Sequence, residues 1–257
     1  MGATKFEFRL RMAIMVAIIA LGFWAPWIEA WGIGRRIPLL EWLAHGLVQS
    51  GLVRFAVAAP LFIVLATLVA AVGAVLRVWG TAYLGPFTVN NLHMKAGAVL
   101  ADGPYRSVRN PLYLGSWCMF AAMAFLMPVS GALFAMVLLT AFLLRLILGE
   151  EAFLTSQLGE PYLSYLRAVP RLLPRLRIGA ASTGPKPGSL GSSGRKPQWL
   201  RAVLAELCPI GIFLTLAFLS WSYDNRLVIR GVLVSFGVSL VARALLPRNA
   251  EQPGLPQ

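Results

Sequence analysis

The stretch 111-PLYLGSWCMFAAMAFLMPVSGALFAMVLLTAFLL-144 carries no charged residue, and its reading decides the fold. As one straight helix it would extend about 50 Å at about 1.5 Å per residue. A hydrocarbon core is only about 30 Å thick. Met127-Pro-Val-Ser-Gly131 lies near the middle of the run. Proline has no amide proton and clashes with the preceding turn, so this cluster marks a reversal. The run predicts a tight helical hairpin of two short spans, with both outer ends at the same membrane surface.

Working outward, Met12 to Ile28 and Phe55 to Leu76 are also uncharged. Ala202 to Trp221 and Leu227 to Ala242 supply a fifth and sixth span, containing Glu206 and Arg230, with Tyr223-Asp-Asn-Arg226 as the turn between them. The expected fold class is all-α, a polytopic transmembrane helix bundle of about six spans. Composition agrees: 58% of the 257 residues are apolar and 13% are charged, against about 25% charged in ordinary soluble domains. Disorder is excluded by the same apolar fraction.

The net charge of +13 sorts by side. With the N-terminus cytoplasmic, only Arg35, Arg36, Arg54, Arg226 and Arg230 fall on the far side, and the other 18 of the 23 Lys and Arg residues flank the cytoplasmic ends. This is a positive-inside pattern. It predicts a multi-pass protein of a bacterial inner membrane with both termini cytoplasmic, partnered by the lipid bilayer and not by nucleic acid. The first span is no cleavable signal, since Trp24-Ala-Pro-Trp27 follows it in place of small residues. Trp24, Trp27 and Trp31 read as an interfacial belt.

Cys118 and Cys208 sit within spans and read as small apolar residues, without a disulfide. His45 and His93 are too scattered for a metal site, and none is expected. Gly32-Ile-Gly34 lacks the third glycine and the strand of a dinucleotide fingerprint. Four regions follow: an N-terminal span and amphipathic connector (1–54), a core (55–178), a Gly/Ser/Pro-rich flexible linker (179–198), and a C-terminal transmembrane hairpin with its tail (199–257).

Chemistry-bearing residues crowd into Arg77 to Pro174. The hairpin brings Arg106, Arg109 and Asn110 within reach of Glu150 and Glu151. A cluster of both signs at a membrane edge can hold a zwitterion, a guanidinium on its carboxylate and a carboxylate on its ammonium. Arg145 precedes Glu150 by five residues and Glu151 by six. That spacing misses the favoured i,i+4 pairing, so Arg145 is expected to have a partner elsewhere.

Gly103-Pro-Tyr-Arg-Ser-Val-Arg-Asn-Pro-Leu-Tyr-Leu-Gly115 resembles the Gly-Pro-Tyr-x-x-x-Arg-His-Pro-x-Tyr-x-Gly signature of the isoprenylcysteine carboxyl methyltransferase and phospholipid methyltransferase superfamily. Leu76-Arg-Val-Trp79 and Leu84-Gly85 resemble its upstream pattern. Glu150-Glu151, Leu158-Gly159, Tyr162, Tyr165 and Val169-Pro-Arg171 resemble its downstream half. The resemblance covers about residues 72 to 175. It implies an integral membrane enzyme that uses S-adenosylmethionine (SAM) in a cytoplasmic pocket, making residues 55–178 a methyltransferase core. Tyr105, Arg109, Asn110, Pro111, Tyr113 and Gly115 would form one wall of that pocket. Glu150 would take the cofactor's ammonium with Glu151 in support, and Tyr162, Tyr165 and Arg171 would belong to a covering segment. Arg145 matches an arginine placed to orient the methyl acceptor.

The usual histidine is Asn110 here. An amide donates and accepts hydrogen bonds but does not titrate near neutral pH, so a mechanism needing an imidazole base there is excluded. The resulting expectation is methyl transfer to a lipophilic acceptor, foremost isoprenylcysteine-type carboxyl O-methylation, with Arg145 and Glu150 as the catalytic residues. A phospholipid amine or small thiol is the alternative acceptor. Outside that class stand a non-enzymatic scaffold or transporter and an NADPH-dependent sterol-type reductase.

Overall fold

Thr4 accepts a hydrogen bond from the Glu7 amide at 3.2 Å, and the Glu7 carboxylate accepts one from the Thr4 amide at 2.7 Å. This capping box opens the first helix, α1 (Lys5–Arg9). The computed structural model describes residues 2–24, 37–85, 101–173, 196–222 and 225–245. After α1 come α2 (Arg11–Phe23), α3 (Leu39–Gln49) and α4 (Phe55–Leu84). A 3-10 turn (Gly103–Arg106) leads into α5 (Pro111–Ala124), α6 (Val129–Leu158) and α7 (Glu160–Ala168). Helices α8 (Trp199–Ala205), α9 (Leu207–Ser222) and α10 (Asn225–Leu245) complete the chain. All named elements among the described residues are helical.

The central run forms the expected hairpin. Pro111 occupies the first position of α5, where its missing N–H costs nothing. Pro128 immediately precedes α6. Trp117 of α5 donates to Thr140 of α6 at 2.9 Å, which fixes the two helices antiparallel. The tip is closed by α3: the amides of Leu39 and Leu40 donate to the carbonyls of Met127 and Phe125 at 2.8 and 3.0 Å. Unpaired carbonyls after α5 thus meet unpaired amides at the start of α3, and each satisfies the other.

Helices α4 and α6 are long and apolar enough to cross a membrane, and α8 with α9 forms a third candidate bent by 69°. The other expected crossings are shorter apolar helices, Arg11–Phe23, Pro111–Ala124 and Arg230–Ala242. Helix length therefore establishes two or three spans where hydropathy predicts six. Apolar sequence continues past the ends of α5, but the Phe125–Pro128 reversal removes it from the helix. Trp24 is exposed. Trp27, Trp31, Gly32, Gly34, His93 and most of the 179–198 linker lie outside the described residues.

Three packed clusters hold the helices. Phe8, Met15 and Ile18 join Met127, Leu139 and Leu146, tying α1 and α2 to α6. Ala70, Ala74, Met119, Ala122, Leu216 and Leu219 join α4, α5 and α9. Tyr162, Tyr165 and Val169 close over Ala101. Cys118 and Cys208 are not joined in a disulfide.

The α4–α5 contact depends on glycine. A Cβ on Gly73 would lie 2.8 Å from the Gly115 carbonyl, and one on Gly115 would lie 2.9 Å from the Gly73 carbonyl and 2.7 Å from the Arg77 side chain. Reciprocal backbone approach of this kind admits no side chain. Gly115→Ala is therefore expected to cost about 1–3 kcal/mol through forced separation of the helices. Thermal unfolding of the detergent-purified protein should show a lowered midpoint, and an unchanged one would contradict this account of the contact.

Candidate functional site

Asn110 stands at the N-cap of α5, where an Asn side chain ordinarily accepts a bond from the first turn. It makes no such cap. Its amide instead donates to Glu151 at 3.3 Å and to the Arg171 carbonyl at 3.2 Å. The residue has been drawn away from local structure into a long-range cluster.

Glu151 is the centre of that cluster and is buried. Arg109 reaches it at 3.1 Å through Nη1. Arg171 approaches through Nη2 at 2.8 Å and Nε at 3.1 Å, a forked contact. Backbone reinforces the join, since the Arg109 amide donates to the Pro170 carbonyl at 2.9 Å. The sequence expectation that Arg109 and Asn110 reach the glutamate pair is met at Glu151. Arg106 differs: it turns to Asp102 at 3.4 Å, four residues back, and to the Ala101 carbonyl at 3.2 Å. A local partner wins over one across the hairpin.

Glu150 lies beside this cluster with a different environment. Tyr113 donates its hydroxyl to Glu150 at 2.9 Å. The Arg11 charge acts on both Glu150 and Tyr113. The two adjacent carboxylates therefore differ in surroundings: Glu151 holds two guanidiniums directly, and Glu150 accepts from a phenol within the field of Arg11.

The covering segment starts at Gly159, whose φ of +61° and ψ of −138° form a turn that favours glycine. This reversal folds α7 back across the hairpin ends. Tyr165 donates to the Tyr105 carbonyl at 2.8 Å, and Tyr162 packs on Tyr165 with ring centroids 5.9 Å apart. Burial pushes both the Tyr162 and Tyr165 hydroxyls up, so Tyr165 remains a proton donor throughout the neutral range. Tyr105 is buried in the 3-10 turn, and its hydroxyl faces the Gly80 carbonyl at 3.5 Å. Pro111 is buried at the start of α5, and Gly115 lies one turn on, against Arg77.

Arg145 has its expected distant partner. Its Nη2 bonds both Glu7 carboxylate oxygens at 3.0 Å. The Ala3 amide also donates to the Arg145 carbonyl at 2.8 Å, and the chain runs across Gly149, where a Cβ would meet it at 2.9 Å. The N-terminal segment consequently borders the α6 turn that carries Glu150. Sequence reasoning missed Glu7, Arg11 and the neighbourhood of Glu206. The visible signal for Glu206 was a single carboxylate within an apolar run.

One buried polar atom in this region lacks a partner: Arg109 Nε. An unpaired buried donor costs about 1–3 kcal/mol. It stands next to the Glu151 contact, while Glu150 retains lone pairs beyond the one used by Tyr113. An unpaired donor beside a carboxylate pair can engage a polar ligand that carries both charges. No group of His, Cys, Asp and Glu suited to a metal occurs among the described residues.

Comparison with known proteins agrees with the resemblance read from the motifs. Residues 53–160 match the family model for phospholipid methyltransferase, a little under half of the chain. Tyr162, Tyr165, Arg171 and the whole C-terminal hairpin lie beyond that segment. No curated protein and no solved structure gives a significant match.

Removing the Glu151 charge strands two guanidiniums, so Glu151→Ala is expected to cost on the order of 3 kcal/mol. Limited proteolysis should then cut within 159–173 much faster than in the parent, and equal rates would show that the latch does not hold this segment. A second outcome concerns acid. The Thr4 amide and then Arg145 hold the Glu7 carboxyl below its usual range. A lowered folded pKa gives stability that is complete above the unfolded value and is lost as pH falls through the folded one. Hydrogen exchange across residues 2–11 should accelerate below about pH 4, and this acid limb should be absent in Glu7→Gln.

Proposed function

We propose, from the match of residues 53–160 to the family model for phospholipid methyltransferase, part of the isoprenylcysteine/phospholipid methyltransferase superfamily, that the chain is an integral membrane SAM-dependent methyltransferase acting on a lipophilic acceptor. The observation that carries the proposal is an orphaned buried donor, Arg109 Nε, on the guanidinium that holds Glu151, the sequence neighbour of Glu150.

In this reading Glu150 receives the cofactor's ammonium, and Tyr113 holds the carboxylate in position for it. Arg109 donates Nε to the cofactor's carboxylate while Nη1 remains on Glu151. Asn110 and Arg171 keep Glu151 in place, and Tyr162 and Tyr165 form the cover that excludes water. Bound SAM supplies a methyl group already activated by its sulfonium. The protein's contribution is then alignment in a water-poor site, which can account for several kcal/mol of barrier.

Arg145 orients the acceptor, and access to it requires displacement of the Glu7 carboxylate. That carboxylate is the anion Arg145 holds now, and an acceptor carboxylate has the same charge and shape. Asn110 supplies no base, and a carboxylate nucleophile needs none. Isoprenylcysteine-type carboxyl O-methylation is therefore the favoured reaction. The family's description favours a phospholipid amine as the second acceptor, with Glu150 or Glu151 then serving as base. We further propose six crossings, both termini cytoplasmic in a bacterial inner membrane, and a body of residues 55–178 joined by the 179–198 linker to the hairpin of 199–257.

The test is direct. Purified protein should bind SAM, and Glu150→Gln should weaken binding about tenfold or more, as expected for loss of one charged hydrogen bond. Absence of SAM binding by folded protein would sink the proposal. Methyl-labelled SAM incubated with membranes should yield a labelled lipophile. Release of the label as methanol by base identifies an ester, and base-stable label identifies an amine.

A further inference from the structure

Glu206 is 1% exposed, at the break between α8 and α9. It accepts hydrogen bonds from Arg77 Nε at 2.7 Å, Arg77 Nη2 at 3.0 Å and Thr81 Oγ1 at 2.7 Å. The remaining guanidinium nitrogen, Arg77 Nη1, donates to Ser116 Oγ at 2.6 Å. Ser116 in turn donates to the Leu112 carbonyl at 3.0 Å. A continuous line of bonds thus runs from the C-terminal hairpin, through α4, into the first two turns of α5.

Those turns carry Asn110, Tyr113 and Gly115. The Arg77 side chain also fills the space in front of Gly115, where a Cβ would lie 2.7 Å from its Cγ. A second attachment lies nearby: the Gln198 amide donates to the Ala82 carbonyl at 2.8 Å, and Trp199 meets Tyr83 edge-on at 6.5 Å. Tyr83 rests against Gly103, the first residue of the 3-10 turn that holds Tyr105. The hairpin therefore backs both pieces of the wall, although it lies outside the family-like segment.

A buried ion pair is a costly way to join helices, and apolar residues of similar volume often hold them as well or better. What a forked guanidinium adds is direction, since its planar donors fix rotation and register at once. We propose that Arg77 and Glu206 are a positioning pair: they set the rotation of α5, aiming Tyr113 and Asn110 at Glu150 and Glu151. The C-terminal hairpin is thereby a working part of the site. Only the cofactor arm of the test rests on the methyltransferase reading.

The test uses the full chain in detergent, with Glu206→Gln and Ser116→Ala. Ser116→Ala leaves the Arg77–Glu206 pair intact and cuts only its connection to α5, which separates positioning from simple anchoring. Both variants are expected to raise hydrogen exchange of amides 110–116 and to weaken SAM binding about tenfold. Glu206→Asp should recover part of both effects. Unchanged exchange at 110–116 in Ser116→Ala overturns the proposal, whatever Glu206→Gln does to folding. If the parent binds no SAM, the methyltransferase reading fails, and the exchange measurement still decides the positioning role.

Discussion

A carboxylate buried at the end of a long apolar helix must be paired, because an isolated charge in such surroundings costs several kcal/mol. Glu151 is that carboxylate, and its pairing organises the rest of the site. Arg109 comes from the approach to α5, Asn110 from its N-cap, and Arg171 from the segment after α7. Two separate parts of the chain, 109–110 and 171, must converge on α6 before the charge is satisfied. Once they do, the hairpin ends are drawn together and the cover is fastened over them. Glu150, the preceding residue, accepts from the Tyr113 phenol instead.

The same rule governs the two ends of the protein. Glu7 ties the N-terminal helix to α6 through Arg145, and Glu206 ties the C-terminal hairpin to α4 through Arg77. The settings differ in dielectric and so in weight. The Glu7 contact is partly exposed and screened by solvent, so it is the weaker of the two. The Glu206 contact is largely buried, and there loss of either partner leaves an uncompensated charge. One tether can open at modest cost while the other is fixed.

Much of this was legible in sequence because it depends on local chemistry. Pro128 within an uncharged run fixed the reversal, and antiparallel geometry then forced the residues flanking the hairpin to meet. That argument found Arg109, Asn110 and Glu151 correctly. It failed for Arg106, since proximity along the chain gave Asp102 the advantage. The distant partners Glu7 and Glu206 were not readable: each is an ordinary glutamate in sequence, and only the packing of α1 on α6 or of α9 on α4 selects its guanidinium. Helix length supports fewer spans than hydropathy for a related reason. Hydropathy measures where apolar residues are, and the reversal at Phe125–Pro128 determines where a helix stops.

The short helices have a consequence for the lipid around them. Helices α2 and α5, of 13 and 14 residues, both pack against α6. At about 1.5 Å per residue each extends about 20 Å, well short of a hydrocarbon core about 30 Å thick. A bilayer answers such hydrophobic mismatch by thinning locally or by drawing polar flanks inward. In the proposed membrane enzyme such thinning would bring the membrane–water boundary down beside the hairpin, and a lipophilic acceptor would reach it by lateral diffusion in two dimensions.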